Sequence, residues 1–343
     1  MKKTFVLLVC LLSLVILLGS SRPARTAPAN VIELKLASLV PPVHTMNRSI
    51  ITPWIKEVEQ RTQGRVKVSI FPAETLGKAR DDYDLAARGV AEVAEFVHAY
   101  TPGRFPLSSV MDLPLGVPSS KIGCRIFWEL YEKYMKQEYS DVKLLCLFTT
   151  EPGQIAMTKK LVKTMSDLKG MRLRSPGPRQ TALLRAFGAS PLTIPGPDMY
   201  DALQKGMADG ALLPISGVRD FKVEELIKHT TIGNFYALPN GIVMNLNTWK
   251  SLPPDIQKII DETTGLRLAE KGGEAFDLTG AQVQEEQRKR GAEYYQLPPA
   301  EMKIFREKFK VVTDAWVAEM ESKGLPGKKV FEEATSLVQK YSK

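Results

Sequence analysis

The first seventy residues contain the order strand, loop, helix and strand, which constrains the fold more than any other feature. Ile32–Ala37 alternates apolar and polar side chains with the period of two expected of a β-strand. A Pro-Pro loop and an amphipathic helix to about Thr62 follow, Gly64 ends the helix, and Val66–Ile70 forms a second strand. Such a β-loop-α-β unit is typical of a doubly wound sheet, so we predict an α/β fold.

Residues 168–210 combine a strand, a helix, a Pro/Gly-rich loop and a second helix that ends at Ala208-Asp-Gly. The strand, Met171–Arg174, ends in an arginine directly before a Ser-Pro-Gly break. In open α/β sheets the carboxyl ends of strands face the crevice where ligands bind. A guanidinium can hold a carboxylate there with two parallel hydrogen bonds. Arg174 is therefore the main candidate for binding an organic acid.

An alternative for Arg174 is an ion pair within the protein. Burying a guanidinium is costly unless an anion pairs with it, and Glu151 or Asp198 would supply that anion. Arg172 has the same strand parity and Arg179 starts the next helix. Each of these two arginines is a second candidate for ligand contact or an ordinary exposed charge.

The remaining pattern predicts further strands and helices. Predicted strands are Val93–Val97, Val142–Phe148, Ile155–Thr158, Ala211–Leu213 and Gly241–Asn245. Predicted helices are Ala79–Arg88, Ser119–Tyr139, Phe221–Lys228, one long helix from about Pro254 to about Arg290, Pro299–Lys323 and Lys328–Tyr341. The long helix exceeds the common length of globular helices, and spanning two lobes would explain it.

Residues 1–29 have the pattern of a secretory signal peptide. Lys2 and Lys3 precede the apolar run Phe5–Leu18, and Ala27-Pro-Ala29 is a small-x-small cleavage pattern. The apolar run is short for a membrane span, which needs roughly 20 residues. A signal-anchor is the competing interpretation. We predict cleavage of residues 1–29 and a protein of the bacterial periplasm.

Charge and cysteine content disfavour several classes of function. The formal net charge of +9 falls by four, to about +5, without the signal peptide. No basic run alternates with aromatic residues, so nucleic-acid binding is disfavoured. Export permits a disulfide between Cys124 and Cys146, but two separately buried thiols are the preferred interpretation. No His/Cys cluster has metal-site spacing, so we predict neither a metal site nor a cofactor.

Loops after the early strands supply further candidate ligand contacts. His44 and His98 each follow a strand of an α/β unit, although a hydrogen-bonded loop histidine is the alternative for both. Phe96, Tyr100 and Tyr236 are candidates for aromatic walls, because ligand pockets are mostly apolar. Core packing is the alternative for Phe96.

Catalytic motifs are missing from the sequence. It has no G-x-S-x-G elbow, no phosphate-binding G-x-x-x-x-G-K-[ST] and no G-x-G-x-x-G after a strand. The acidic pairs Asp81-Asp82 and Glu285-Glu286 lie on polar faces of predicted helices, where solvation is the default. These observations favour binding over catalysis, so we predict that the protein is not an enzyme.

The whole predicted mature chain resembles the solute-binding subunits of TRAP (tripartite ATP-independent periplasmic) transporters, of the DctP type. The order and spacing of several segments carry the resemblance, and no single segment is diagnostic. These segments are the strand and loop with His44, Thr62–Val68, Phe71–Gly77, Gly89–Ala94, Leu113–Leu115, Asp167–Arg174, Phe187–Pro191, Tyr200–Gly206, Ala208–Gly210 and Met244–Pro253.

The resemblance implies a two-lobed periplasmic binding protein of type II-like architecture, in which each lobe is a sheet flanked by helices and the long helix spans both. We expect lobe I to comprise residues 30–151 and 239–280, and lobe II residues 152–238 and 281–343. The family's carboxylate-clamping arginine falls on Arg174. Family members deliver solute to a small and a large membrane permease subunit driven by an ion gradient. We expect this chain to act as a monomer.

Two departures from the family pattern bear on the ligand. Members specific for sialic acid carry an arginine where this chain has Gln154, and an asparagine where it has Leu213. Without these polar groups a sugar acid is disfavoured, and a mono- or dicarboxylate, especially an aromatic or aliphatic monocarboxylate, is favoured. The predicted ligand-binding set is Arg174, His44, Phe96, His98, Gln154, Leu213, Tyr236 and Asn240. A ligand-sensing receptor and an exported hydrolase of a small acid are the alternatives.

Overall fold

The computed structural model describes residues 31–342, which form two β-sheets flanked by helices. The predicted α/β class is confirmed. The predicted signal peptide, residues 1–29, lies outside the described residues. In the described part of the chain, no helix has both the length and the apolar character needed to cross a membrane.

The first sheet is built mainly from the first half of the chain. Its strands are β1 (Ile32–Ala37), β2 (Val66–Phe71), β3 (Val93–Val97), β4 (Val142–Thr149) and β10 (Pro239–Asn245), in the order β2-β1-β3-β10-β4. Strand β1 is parallel to β2 and β3, whereas β10 is antiparallel to β3 and β4. All seven residues of β10 are buried, as expected of a central strand covered on both faces.

The second sheet carries the arginine singled out in the sequence. Its strands are β5 (Gly153–Met157), β6 (Arg172–Ser175), β7 (Ser190–Thr193), β8 (Gly210–Pro214), β9 (His229–Tyr236) and β11 (Glu293–Gln296), in the order β11-β9-β5-β8-β6-β7. Strand β6 is parallel to both β7 and β8. Arg174 is the last residue but one of β6 and pairs in register with Ala211 of β8, which continues in the same direction to Pro214.

Helices cover both sheets. They are α1 (Thr52–Arg61), α2 (Asp82–Ala87), α3 (Ser120–Leu130), α4 (Pro178–Ala186), α5 (Met199–Gln204), α6 (Ile215–Asp220), α7 (Leu246–Ser251), α8 (Pro254–Thr263), α9 (Gly265–Lys289), α10 (Pro299–Ser322) and α11 (Gly327–Tyr341). Helices α4, α8 and α10 begin with proline, whose fixed φ suits the first turn and whose missing N–H costs nothing there. The prediction of a helix at Phe221–Lys228 is wrong, because the helix in this region is α6 and ends at Asp220.

The single long helix predicted from Pro254 to Arg290 is two helices, α8 and α9. Gly265 separates them with a φ of +68°, a left-handed conformation that favours glycine. Helix α9 alone has 25 residues. It packs on β4 of the first sheet and on α3 beside it, and also on α6 beside the second sheet. One helix therefore contacts elements of both sheets.

Two strand connections also join the sheets. The chain passes from β4 to β5 and returns from β9 to β10. Thr150 N donates to Leu238 O at 3.0 Å, and Leu238 N donates to Thr150 Oγ1 at 3.3 Å. The two crossings therefore run side by side and hold each other in register.

The last two helices pack on different parts of the molecule. Arg179 of α4 pairs with Glu319 of α10 at 2.6 Å, next to the second sheet. Helix α11 instead packs on α3, where Lys340 lies 3.9 Å from Glu129. The assignment of residues 281–343 to lobe II, like the other lobe boundaries, stays a prediction.

Both cysteines of the described chain are free and buried. Cys124 accepts a hydrogen bond from Thr149 N at 3.4 Å, and burial raises the pKa of its thiol to about 12. Burial also raises the pKa of Cys146. The preferred interpretation of two separately buried thiols is confirmed, and both are poor nucleophiles because the thiolate is the reactive form.

A close contact between α9 and α3 generates a test of the fold. A Cβ atom at Gly273 would lie 2.6 Å from Lys121 Cα and 2.7 Å from Lys121 N, both backbone atoms. Alanine favours a helix over glycine by about 1 kcal/mol. We nevertheless expect Gly273→Ala to lower the midpoint of thermal unfolding, followed by circular dichroism, because backbone cannot move aside as a side chain can.

The matched control is Gln282→Ala at an exposed position of the same helix, which we expect to leave the midpoint nearly unchanged. A midpoint for Gly273→Ala equal to or above that of the wild type would contradict the need for this close approach.

Candidate ligand-binding site

A cavity lies between the two sheets, beside the strand crossings. Its space measures about 490 Å³ together with the open solvent at its mouth, and only about 40 Å³ of it has room for water-sized molecules. Its apolar lining includes Leu39, Val40, Met46, Val97, Phe221 and Phe276. Its polar lining includes His44, Glu95, Tyr100, Arg174, Asp220 and Asn240. Elements of both sheets therefore contribute to one site.

Arg174 is the single lysine or arginine that lines this cavity in the described chain, and it is only 2% exposed. Its Nε donates to Ile194 O at 2.7 Å, Nη1 to Leu212 O at 3.2 Å and Nη2 to Tyr100 Oη at 3.4 Å. All three acceptors are neutral. These bonds use three of the five N–H groups of the guanidinium.

The alternative for Arg174, an ion pair within the protein, is not formed. Among residues 31–342 no carboxylate oxygen lies within 4.0 Å of its nitrogen atoms. Glu151 accepts from Ser216 N at 2.6 Å and from Ser216 Oγ at 3.0 Å, whereas Asp198 is exposed. A buried guanidinium with neutral partners is poorly compensated, and an anion entering the cavity would complete its coordination.

The two arginines of β6 have different environments although they point to the same face of the strand. Arg172 is exposed and forms a bidentate ion pair with Asp209, with Nη2 to Oδ1 at 2.6 Å and Nε to Oδ2 at 3.2 Å. Arg174, one pleat further along, enters the cavity. Gly177 begins the next turn, and a Cβ there would lie 2.6 Å from Ala99 Cβ of the opposite lobe. This close approach brings the end of β6 against the first sheet.

Two tyrosine hydroxyls bear on the site, and that of Tyr100 is bonded to Arg174. Tyr100 Oη accepts from Gly196 N at 2.7 Å as well as from Arg174, so its own hydrogen is available to an acceptor in the cavity. Tyr236 Oη is buried and has no hydrogen-bond partner among residues 31–342. Burial raises the pKa of Tyr236, and the charge of Arg174 opposes part of that rise. The Tyr100 hydroxyl, which lines the cavity, is therefore suited to donate to a carboxylate.

His44 forms part of the wall opposite β6 and is neutral. Its Nδ1 accepts from Met46 N at 3.1 Å and lies 3.7 Å from Asp220 Oδ2. Burial lowers the pKa of His44, and the neighbouring Asp220 only partly opposes this effect. The ring meets Phe221 edge-on, with centroids 5.1 Å apart. The imidazole is therefore a neutral group with its second nitrogen available.

Glu95 is the unexpected member of the lining. It is fully buried, and its Oε2 accepts from Ser38 Oγ at 2.7 Å. Burial raises the pKa of Glu95 to about 8, so the carboxyl is largely protonated at neutral pH. Asp82 lies behind it, and burial, followed by the charge of Glu95, raises the pKa of Asp82 to about 8.

The structure brings together four residues of the predicted set around the cavity: Arg174, His44, Leu213 and Asn240. Tyr236 is buried but is not part of the lining. Asn240 Nδ2 donates to Leu238 O at 2.8 Å, which ties it to the strand crossing.

Three predicted residues, Phe96, His98 and Gln154, lie outside the cavity. Phe96 and His98 belong to an aromatic cluster of the first lobe, with ring centroids 4.6 Å apart. Burial lowers the pKa of His98 to about 3, and its Nε2 lies 2.6 Å from Tyr139 Oη. Gln154 bonds Asn234 through Nε2 to Oδ1 at 2.7 Å and accepts from Asn234 N at 3.0 Å, which supports the irregular part of β9.

The sequence reasoning did not select Glu95, Asp220, Phe221 and Phe276. The signal for Glu95 was one acid inside the otherwise apolar strand Val-Ala-Glu-Phe-Val. Asp220 and Phe221 stand at the end of α6, where the sequence predicted the start of a helix. In the described chain, no three His, Cys, Asp or Glu side chains converge as a metal-binding group.

The chain is similar to proteins of known family. The family model described as bacterial extracellular solute-binding protein, family 7 (DctP), matches residues 36–320. The outer membrane transporter protein TsaT of Comamonas testosteroni is 24% identical over 304 residues, which cover 87% of this chain and 89% of that protein. The C4-dicarboxylate-binding periplasmic protein DctP of Rhodobacter capsulatus is 25% identical over 67% of this chain and 68% of that protein.

Two solved structures closely resemble this one. A TRAP solute-binding protein from Rhodoferax ferrireducens T118, in complex with copurified benzoate, has a TM-score of 0.88 and 31% identity. A marine metagenome TRAP solute-binding protein specific for aromatic acid ligands, in complex with 3-hydroxybenzoate, has a TM-score of 0.88 and 30% identity. In each case the match covers 91% of this chain and 99% of the other.

Glu95 makes the stability of the fold depend on pH. Unfolding returns its pKa from about 8 to the ordinary value of 4.5, so the folded state holds a proton that the unfolded state releases. Stability is therefore highest below pH 4.5 as far as this group is concerned, and falls as pH rises toward 8. We expect Glu95→Gln, which stays neutral, to make the fall of the thermal midpoint between pH 5 and pH 8 shallower. The part of the fall that remains comes from other buried carboxyls, among them Asp82, Asp112 and Glu151, whose pKa values burial raises to about 8, 7 and 8.

Glu33→Gln, at an exposed position of neighbouring β1, is the control and is expected to leave the pH profile unchanged. Parallel profiles for the wild type and Glu95→Gln would show that Glu95 is not held protonated in the folded protein.

Proposed function

The chain belongs to bacterial extracellular solute-binding protein family 7, the TRAP solute-binding proteins, and we propose that it binds an aromatic monocarboxylate through Arg174. The resemblance seen in the sequence and the two-lobed α/β architecture are confirmed. Proteins of this family bind small organic acids and work with TRAP membrane subunits. The observation that carries the proposal for Arg174 is its burial in the cavity with neutral partners alone.

The walls of the cavity support an aromatic ligand with one carboxylate. Phe221 and Phe276 provide flat apolar surfaces, and no second lysine or arginine of the described chain lines the space. One guanidinium neutralises one carboxylate, whereas a second carboxylate would stay unpaired and costly. The two solved structures described above, at 31% and 30% identity, hold benzoate and 3-hydroxybenzoate. A sugar acid would leave its several hydroxyls against apolar walls.

We propose that ligand binding closes the two lobes about the strand crossings. The expected division is residues 30–151 with 239–280 against residues 152–238 with 281–343. Two hydrogen-bonded contacts cross the cavity: Tyr100 Oη accepts from Gly196 N, and Asp220 Oδ1 accepts from Thr45 N and Thr45 Oγ1, each at 3.0 Å. Closure would exclude water from the Arg174 pair and so strengthen it.

The setting of this binding step is also a proposal. The relative from Rhodobacter capsulatus is a periplasmic protein by name, and residues 1–29 have the pattern of a signal peptide. We propose that the chain acts in the periplasm as a monomer and delivers its ligand to the small and large TRAP membrane subunits. The family consists of substrate-binding proteins, and we propose that this member turns over no substrate.

Replacing Arg174 tests the proposed anchor. We expect Arg174→Met to weaken benzoate binding by at least about 100-fold, because the carboxylate would be buried without its partner. Isothermal titration of the purified protein, after removal of copurified ligand, measures the change. Without ligand, we expect the variant to unfold at no lower temperature than the wild type, since a buried charge has been removed.

Arg172→Met is the matched control from the same strand. Its exposed ion pair with Asp209 contributes little, so we expect benzoate affinity within about twofold of the wild type. Equal loss in both variants, or unchanged affinity in Arg174→Met, would refute the proposed role of Arg174.

Replacing Tyr100 tests the closure. We expect Tyr100→Phe to weaken ligand binding by about threefold to tenfold, because Gly196 N loses its acceptor across the cavity. The loss should appear as faster dissociation in surface plasmon resonance. Tyr134→Phe, in the same lobe but away from the cavity, serves as the control. A dissociation rate for Tyr100→Phe equal to that of the control would argue against a closing contact at Tyr100.

A further inference from the structure

We propose that Glu95 is a specificity-determining residue, which selects aromatic monocarboxylates that also carry a hydroxyl group on the ring. The inference rests on the proposed function and deepens it, because it assigns a second recognition point besides Arg174. Glu95 is the one acid in the otherwise apolar strand β3.

The first support is an unused hydrogen-bonding atom at the cavity. Glu95 lines the cavity with a relative exposure of 0%, and its Oε1 has no partner among residues 31–342. A buried polar atom without a partner is destabilising, so its presence at a ligand site indicates a partner on the ligand.

The second support is the way in which Glu95 is held. Asn47 Nδ2 donates to Val40 O at 2.9 Å and to Ser38 Oγ at 3.0 Å. Ser38 Oγ lies 2.7 Å from Glu95 Oε2 and 3.1 Å from Asn47 Oδ1, and its one hydrogen can serve either oxygen. Ser38 therefore pairs Glu95 Oε2 whether that oxygen accepts or donates, and Oε1 is the oxygen without a partner among residues 31–342.

This arrangement defines the chemistry of the partner. Oε1 can bond a hydroxyl group whether or not it carries the proton of the neutral carboxyl, because a hydroxyl both donates and accepts. A second carboxylate fits less well, because Asp220 Oδ2 also lines the cavity without a partner and would repel it. Arg174 is the one cation of the lining in the described chain, and the first carboxylate engages it.

Glu95 can discriminate between ligands because a buried polar atom without a hydrogen-bond partner is destabilising. A site built to bond a ligand hydroxyl leaves its own polar group unpaired when the ligand lacks that hydroxyl. Benzoate would satisfy Arg174 and the apolar walls but leave Glu95 Oε1 unpaired. A hydroxybenzoate of the right isomer would satisfy both.

The test is a titration series with the mature protein freed of copurified ligand. The probes are benzoate, its 2-, 3- and 4-hydroxy derivatives, and the three benzene dicarboxylates. We expect at least one hydroxybenzoate to bind about tenfold or more tightly than benzoate, and every dicarboxylate to bind more weakly than benzoate. In Glu95→Leu the ratio of hydroxybenzoate to benzoate affinity should fall below about twofold. Glu95→Gln, which keeps a donor and an acceptor, should retain the preference.

Three outcomes overturn the proposal. One is a wild-type protein in which no hydroxybenzoate binds more than twofold more tightly than benzoate. Another is a preference that survives in Glu95→Leu, and a third is a dicarboxylate that binds best. In the first two cases benzoate binding that is lost in Arg174→Met still supports the proposed function. Failure of every aromatic acid to bind overturns both proposals. The wild-type series can overturn the proposal without any variant, so the test does not depend on the folding of Glu95→Leu.

Discussion

A positive charge kept out of water is the constraint on which the rest of the site depends. Arg174 can be buried because the carbonyls of Ile194 and Leu212 and the hydroxyl of Tyr100 accept its hydrogen bonds. These acceptors come from both sides of the cavity, so the lobes must approach each other for the charge to be solvated by protein. Neutral acceptors keep the guanidinium in position yet leave its charge uncompensated, which is the condition for strong attraction of an anion.

Much of the fold follows from local pattern. The first β-loop-α-β unit and the strand that carries Arg174 lie where their alternation predicts them. The prediction of a helix at Phe221–Lys228 is wrong because Val223 and Ile227, although they have helical spacing, belong to an irregular segment that buries both side chains. Strand β7 lies in the segment that the sequence predicts as a Pro/Gly-rich loop. It has only four residues and pairs with β6 at the sheet edge, so its sequence shows no strand periodicity.

The site was less accessible to sequence reasoning than the fold. Arg172 and Arg174 share one strand face, and only the position of Asp209 makes the first a surface ion pair. Glu95 and Asp220 are 125 residues apart, so no local pattern connects them. His98 follows strand β3 and Phe96 lies within it, but aromatic neighbours from other segments enclose both in a core. Long-range packing decides such cases.

The two buried thiols have a consequence for how the chain reaches its final state. Neither Cys124 nor Cys146 contributes a covalent link, so the native protein gains nothing from an oxidising environment. In a compartment that promotes disulfides, exposure of these thiols before folding is only a risk of wrong cross-links. Cys124 belongs to α3 and Cys146 to β4 of the first sheet, and these two elements pack on each other. Early docking of those two elements during folding would therefore bury both thiols and keep them from oxidation.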